Sequence, residues 1–574
     1  MSFPPPLYKP KIYFNNPVAF SFSNVPVTQL EIINATSQLL PKKSEDFSGL
    51  SMFFIKMFVH ILSLPLLHLI TKSLETGVIP NQLKIAKVVP IFKSGDRLSP
   101  DNYCPISLLP NFSKILEKVV SNRLIEFLDE QKIISESQFG FRKGHSTIHP
   151  LMLFMNNLTA ALNKKQFSIA IFCDLRKAFD TVNHSILLDK LESMGVRGVE
   201  WLWFKNYLSN RMQFVNVGDV NSTLLEILLG VPQGSILGPL LFLIYINDLP
   251  KCSKLFSQLF ADDTTQSASH SNLETLALFV NQEFHKTVDF FCSHRLSLHP
   301  EKTKFMIVSN TAVLNVPNIV INYNPLLGAV DPAKIFKMNF INNSPTPYAK
   351  FLGVLIDPKL SFKPHILQVT KKVSTSLYFL RGAKKVLNQK ALKSIYYALF
   401  HSHLIYASQL WSCCSESLLK PIVTKQKMAI RILSNAKYNS HTEPLFKKLN
   451  ILPFAQLCLF FKLQFMQQFT QNFLPVALQS MWITNNIRRQ DQSHVVLRNN
   501  DELHIPLAIS SFTSKHPLTT FPQLWADFPE ESIKFIRNKL EFNRKLKNHL
   551  LNQLKTQVTC GRLLCPDCHL NALL

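Results

Sequence analysis

Charge is scarce in this chain, and negative charge scarcer still. Only 17% of the 574 residues are charged, and 37 Asp and Glu face 62 Lys and Arg, a formal net charge of +25. Such an imbalance points to a polyanionic partner or an anionic membrane surface. Basic residues recur along the whole chain and form no single amphipathic helix, which favours nucleic acid. The ten cysteines show no regular pairing, so a secreted disulfide framework is excluded and reduced thiols are expected. Met1-Ser2-Phe3 followed by three prolines does not read as a signal peptide. The most apolar stretch, Met52 to Ile70, is interrupted by Lys56, His60, Pro65 and His68. A mid-span charge costs roughly 2.5–3.5 kcal/mol in a bilayer, so a buried helix is expected there and no membrane partner. No internal repeat is found. What the chain does have is a 46% hydrophobic content, enough for a large core and two to four domains.

Two apolar runs end in carboxylate. Ser168 to Cys173 reads as a buried strand and delivers Asp174; Leu259 to Ala261 reads as a strand entering a turn and delivers Asp262 and Asp263. A strand holds its terminal side chain rigidly, which suits a metal ligand. Three carboxylates are the supply that paired Mg²⁺ ions, hard and oxygen-preferring, require. Two such ions can stabilise both oxygens of a phosphoryl displacement. The expectation is a template-copying nucleic-acid polymerase.

The rest of the chain alternates strand and helix signals. Strands are expected at Lys84–Phe92, Ile106–Leu109, Phe214–Val220, Lys304–Val308 and Phe351–Ile356. Helices are expected over 113–134 (with Ser113 as a cap), 147–163, 183–194, 201–208, 239–248 and 272–292. Beyond residue 365 the pattern is helical, with Lys371, Lys372, Arg381, Lys384, Lys385, Lys425, Lys427 and Arg431 interspersed. Phe179 reads either as a core aromatic or as a wall beside the sugar of an incoming nucleotide. Gln233, in the turn Pro232-Gln233-Gly234, is either a plain connection or a contact to a templating base or nucleotide. Lys93, Arg142, Lys143 and Lys302 are solvated charges unless a triphosphate lies beside them. Cys560, Cys565 and Cys568, with His569 adjacent, read as reduced cysteines; structural Zn²⁺ is the alternative, though adjacent Cys568 and His569 seldom both reach one ion.

The motifs in order resemble those of the reverse transcriptases of non-LTR (LINE-type, jockey-like) retrotransposons. They are YCPISLLP (Tyr103–Pro110), FGFRKGHST (Phe139–Thr147), DLRKAFDTVNH (Asp174–His184), GVPQGSILGP (Gly230–Pro239), FADD (Phe260–Asp263), LSLHPEKT (Leu296–Thr303) and FLGVLID (Phe351–Asp357). The resemblance covers about residues 16 to 435 and is densest from 74 to 357. It implies an α+β right-hand polymerase: fingers, an antiparallel-sheet palm with a ferredoxin-like core, and a helical thumb. The implied divisions are a linker-like segment 1–45, fingers 46–165, a reverse transcriptase domain 74–357 of fingers and palm, a thumb 365–450, and a C-terminal helical region 451–574 with a Cys-rich tail. By resemblance Asp174 and Asp262 are the principal ligands of two Mg²⁺ ions and Asp263 supports them. Phe179 matches the sugar-discriminating position, Gln233 the turn beside nucleotide and template, and Lys302 the lysine after the catalytic hairpin. Phe351, Leu352 and Gly353 match the primer grip, and Lys93 a fingers lysine near the triphosphate. The implied partners are an RNA template, a DNA primer and deoxynucleoside triphosphates; the compartment is read only as intracellular, and as the nucleus if the protein is active. The family has arginine at Cys104, asparagine near His294 and His299, and tryptophan near Phe290 and Phe362. A decayed or domesticated nucleic-acid-binding remnant is therefore the alternative; an RNA-dependent RNA polymerase is disfavoured by Phe179. No endonuclease motifs precede the polymerase segment.

Overall fold

The computed structural model describes residues 18–322, 335–482 and 516–554, together with residue 503 and apart from residues 24, 25, 312, 314, 345 and 346. The cysteine-rich tail with Cys560, Cys565 and Cys568 lies outside the described residues. The architecture is mixed α+β.

A central five-stranded sheet organises the first two thirds of the chain. Its order is Asn339–Phe340, Lys304–Val308, Phe167–Cys173, Asp263–His270, Phe256–Phe260. All neighbours are antiparallel except the first pair. The strand Phe167–Cys173 is nearly continuous in apolar residues because both its faces are covered. Ile169 and Ile171 join one core, with the helix Leu273–Ser293; Ala170 joins a second, with the helix Ile148–Asn163. Side chains alternate faces along a strand, so a strand between two cores buries residues on both faces; the neighbouring strand Asp263–His270 does so with polar groups, Thr264, Thr265, Gln266 and Ser267.

A second sheet pairs Tyr103–Leu108 with Ile85–Phe92, which runs parallel to Arg211–Val217; Val220–Asn221 and Leu225–Ile227 pair with the latter. From Lys363 onward the chain is helical. Lys363–Ala383 packs on Glu416–Leu433, and Phe454–Thr470 packs on Lys539–Gln553. One core runs from Leu151 through these helices to Leu554, so packing draws no line at residue 450.

Several expectations need correction. The segment before residue 46, read as linker-like, contains the helix Gln29–Gln38. It buries only Ile32, Ala35 and Thr36, too few to show as a periodic pattern, and Glu31 pairs with Arg123 at 2.7 Å. Met52 to Ile70 divides at Phe58 into Met52–Met57 and Val59–Thr76. Ile55, Leu66 and Ile70 are buried there, but Phe54, Met57, Ile61 and Leu64 are exposed. Among the described residues no single helix is long and apolar enough to cross a membrane. Ser113 does not cap its helix, which starts at Asn111 after Pro110; Ser113 is buried and its hydroxyl donates to Glu117. The expected strand Phe351–Ile356 is a hairpin, Ala349–Phe351 against Val354–Ile356, because Leu352 and Gly353 both take positive φ (45° and 81°) and reverse the chain.

Candidate active site

The strand pairing brings the sequence's widely separated carboxylates to one end of the central sheet. Phe260 pairs with Asp263, closing a two-residue turn made of Ala261 and Asp262. In the neighbouring ladder Cys173 pairs with Thr264. Continuing that register by one residue sets Asp174 opposite Asp263. Directly opposed residues of antiparallel strands lie about 4.5–5.5 Å apart at Cα and point to the same face. Asp174 and Asp262 are half-buried and Asp263 is exposed, so the cluster opens to solvent.

The electrostatics report the crowding. Burial and then the charge of Asp174 raise the Asp262 carboxyl above its ordinary range. The Asp263 residue is exposed overall, yet the partial desolvation its carboxyl meets in the cluster, then Asp262 and Asp174, push it up to about 6 against a counteracting pull from Lys350. Hard cations relieve such repulsion, and the all-oxygen donor set suits Mg²⁺. Among the described residues no three His, Cys, Asp or Glu form a ready-made metal cage. Mg²⁺ ordinarily binds through one or two carboxylates plus water and substrate phosphates, and the open cluster fits that mode.

A pH dependence follows. The folded Asp263 carboxyl binds its proton more tightly than an unfolded aspartate, whose pKa is about 4. The stability contributed by protonated Asp263 is therefore present below about pH 4 and lost as pH rises through about 6. Asp263→Asn is expected to raise the melting temperature at pH 7.5, with the difference shrinking below pH 5. A variant that melts lower than the parent at pH 7.5 would contradict this.

The segment after the hairpin is laid beside Asp174. The Arg176 amide donates to Ser297 O (2.8 Å), the His299 amide to Asp174 O (2.7 Å), and Leu175 bridges Leu298. This brings Lys302 Nζ to 3.7 Å from Asp174 Oδ2. Both groups are about half exposed, so the pair itself adds little stability.

Phe179 follows Asp174 within a turn. Its ring stacks on Phe242 at 4.5 Å and meets the edge of Phe141 at 6.3 Å. It is both a core aromatic and a partly exposed wall. The Gly230–Gly234 loop packs directly against it: the Val231 amide donates to Phe179 O, and a Cβ on Gly230 would lie 2.7 Å from Asp180 O. Gln233 Nε2 donates to Asp180 Oδ1 at 2.7 Å. Gln233 O accepts from the Ser107 amide at 2.8 Å, tying this loop to the second sheet.

The remaining expected residues are placed less directly. Arg142 is folded back onto its own loop, with Nη1 donating to Ser135 O and Gln138 O (3.1 and 3.2 Å) and Nη2 3.8 Å from Glu136. Lys143 is exposed in the same loop. Lys93 is exposed at the end of Ile85–Phe92, its amide donating to Asn102 O; Cys104 sits opposite Ile91 in that hairpin. No described contact joins either to the carboxylates. Phe351 is buried and packs on Phe154 and Phe172, so the Leu352-Gly353 turn is anchored two positions from Asp174. Tyr406 closes that turn from the helical side: its hydroxyl donates to Leu352 O, and its ring lies 3.2 Å from where a Gly353 Cβ would be.

His294 and Phe290 are core residues, stacked 3.9 Å apart and fully buried, and Phe362 is a buried left-handed residue capped by Asp357. These departures from the family pattern therefore fall outside the carboxylate cluster, whereas His299 borders it.

Two residues escaped the sequence reading. Glu117, buried on the helix Asn111–Glu130, accepts from the Ile236 and Leu237 amides (2.6 and 3.3 Å) and so caps the helix Leu237–Ile246 that follows the Gln233 turn. A lone acid among Ile115, Leu116, Val119 and Val120 was its signal. Gln138, buried, accepts from the Ala261 amide; its position before a glycine in a loop gave little hint.

The sequence model of the family described as "Reverse transcriptase (RNA-dependent DNA polymerase)" matches residues 91–356. The chain is similar to the probable RNA-directed DNA polymerase from transposon BS of Drosophila melanogaster, 28% identical, over 76% of this chain and 48% of that one. It is similar to the RNA-directed DNA polymerases from mobile element jockey of Drosophila funebris (27% identical, 73% of this chain, 45% of that one) and Drosophila melanogaster (26%, 76%, 47%). The chain spans about half the length of the curated relatives it matches.

Proposed function

We propose that this chain, which over residues 91–356 is a reverse transcriptase domain of the non-LTR retrotransposon kind, works as an RNA-directed DNA polymerase that extends a DNA primer on an RNA template. One observation carries the reading: the register that pairs Cys173 with Thr264 and Phe260 with Asp263, so that Asp174 leaves its strand beside the turn that holds Asp262. In this reading the central sheet is the palm, the sheet around Ile85–Phe92 belongs to the fingers, and the helices from Lys363 form the thumb.

Asp174 and Asp262 hold two Mg²⁺ ions and Asp263 supports them. Bound there, the ions supply stabilisation of charge on the attacking and leaving oxygens. The primer 3′-hydroxyl attacks the α-phosphate and pyrophosphate leaves. Lys302, tethered beside Asp174, and Lys93 supply positive charge to the triphosphate. Arg142 joins them by exchanging two carbonyl partners for phosphate oxygens, a stronger kind of hydrogen bond. Gln233 flanks nucleotide and template, held in place through Asp180. Phe351, Leu352 and Gly353 support the primer end. The basic residues of the thumb, from Lys371 to Arg431, track duplex phosphates without reading sequence. The work is done in the nucleus, where target DNA lies.

Primer extension on an RNA template with Mg²⁺ tests the reading; negligible extension, equal in the parent and Asp262→Ala, would count against it. Phe179 gives a second test. Its stack on Phe242 fixes the ring as a rigid wall, and Phe179→Ala is expected to raise ribonucleotide incorporation roughly 10–200-fold, the range by which pocket shape separates substrates differing by one small group. Unchanged discrimination would remove Phe179 from the sugar site.

A second reading rests on Cys104, which stands where the family carries an arginine; a thiol cannot supply that charge. On this reading the chain is a nucleic-acid-binding remnant. Salt-dependent RNA binding without extension, unrescued by Cys104→Arg, is its signature; robust extension by the parent excludes it.

A further inference from the structure

We infer that Gln138 is a positioning residue for the catalytic turn, holding the Ala261 amide and so fixing where Asp262 stands; the inference rests on the polymerase reading of the carboxylates.

The strand Phe256–Phe260 is the outer edge of the central sheet. An edge strand presents unpaired amides and carbonyls, and here a short piece of loop covers them. The Leu259 amide donates to Ser137 O and the Phe139 amide to Leu259 O, both at 2.8 Å, with Gln138 and Leu259 in a parallel bridge. The backbone pairing ends there, one residue short of the turn. The Gln138 side chain carries it on: Oε1 accepts from the Ala261 amide at 3.0 Å and from the Gly140 amide at 2.8 Å.

Ala261 is where such support is needed. It is buried, and its φ of 58° is a left-handed conformation that a residue with a Cβ adopts only against its steric preference. Without Gln138 its amide would be a buried donor with no acceptor, in a turn already working against its preferred backbone. Gly140 tightens the fit, since a Cβ there would lie 2.3 Å from Ala261 N and 2.9 Å from Phe260 C. The next residue, Phe141, places its ring edge against Phe179. One loop therefore braces the carboxylate turn with Gln138 and the sugar-side wall with Phe141. Gln138 touches neither substrate nor metal in this arrangement; it acts through the turn.

The test uses the full chain in three forms: the parent, Gln138→Leu, which keeps the bulk and loses the acceptor, and Gln138→Glu, which keeps the acceptor. Hydrogen exchange across residues 259–263 is read first. Exchange at least tenfold faster in Gln138→Leu, restored toward the parent in Gln138→Glu, is expected, with primer–template affinity unchanged. Unaltered protection in Gln138→Leu overturns the inference. Primer extension is then measured with Asp262→Ala alongside. Where the parent extends and Asp262→Ala does not, Gln138→Leu is expected to lose at least tenfold in kcat with little change in KM for deoxynucleotide. Full kcat despite lost protection overturns the positioning role. A parent that does not extend refutes the polymerase reading, and the exchange result alone then decides whether Gln138 clamps the turn.

Discussion

Asp262→Ala is expected to lower primer extension by about a hundred- to a thousandfold, the scale on which removing one group that stabilises transition-state charge acts. Asp262 sits in a two-residue turn closed by the Phe260–Asp263 pair, so neighbouring acids cannot shift to replace it. Asp174 belongs to another strand and Asp263 is fixed by its own pairing. Affinity for template and primer is expected to persist, because it arises from a chain-wide excess of basic residues and falls with salt in the same way for parent and variant. Gel-resolved extension and filter binding separate the two. Loss of binding together with extension would mean that the substitution disturbs more than the site. Retained extension would remove Asp262 from the chemistry.

Glu117→Leu is expected to destabilise the fold by about 1–3 kcal/mol, the cost of leaving buried donors without an acceptor. Burial raises the Glu117 carboxyl above its ordinary range, and Arg211, itself buried, pulls it back. The variant takes a compensating charge away from Arg211, whose guanidinium donates to Tyr207 O and lies over the Tyr207 ring but makes no bond to Glu117. It also removes the acceptor for the Ile236 and Leu237 amides, leaving the helix after the Gln233 turn uncapped. Glu117→Gln keeps an acceptor and loses the charge, so its loss is expected to be smaller. Urea unfolding followed by fluorescence reads both. A Glu117→Leu midpoint equal to the parent's would show that the Ile236 and Leu237 amides are satisfied without Glu117.

The carboxylates were legible because each closes an apolar run, and an apolar run long enough for one strand announces where that strand ends. The strand Lys304–Val308 was legible to the residue for the same reason. The hairpin at Leu352-Gly353 was not, since three-residue strands carry too little alternation to reveal a reversal between them. The helix Gln29–Gln38 was hidden by its polarity: Thr28 caps it and Arg123 holds Glu31, neither of which writes a hydrophobic period. Arg142 could be read only as a basic group in a loop. Whether it faces a ligand or turns back onto Ser135 and Gln138 depends on carbonyls that its own loop presents once folded. Gln138 and Glu117 share that difficulty. Their partners are backbone amides more than a hundred residues away, and a sequence shows a side chain's chemistry but not which distant amide will meet it.

Manganese binding to the full chain, with primer–template and a non-hydrolysable deoxynucleotide, bears most directly on the idea that these acids form one metal-dependent centre. Followed by electron paramagnetic resonance, the parent should take up bound Mn²⁺ that Mg²⁺ competes away, and Asp174→Ala and Asp262→Ala should each lose most of it. Equal Mn²⁺ uptake by the parent and both variants would mean that Asp174 and Asp262 do not share an ion-binding site, and would contradict the account.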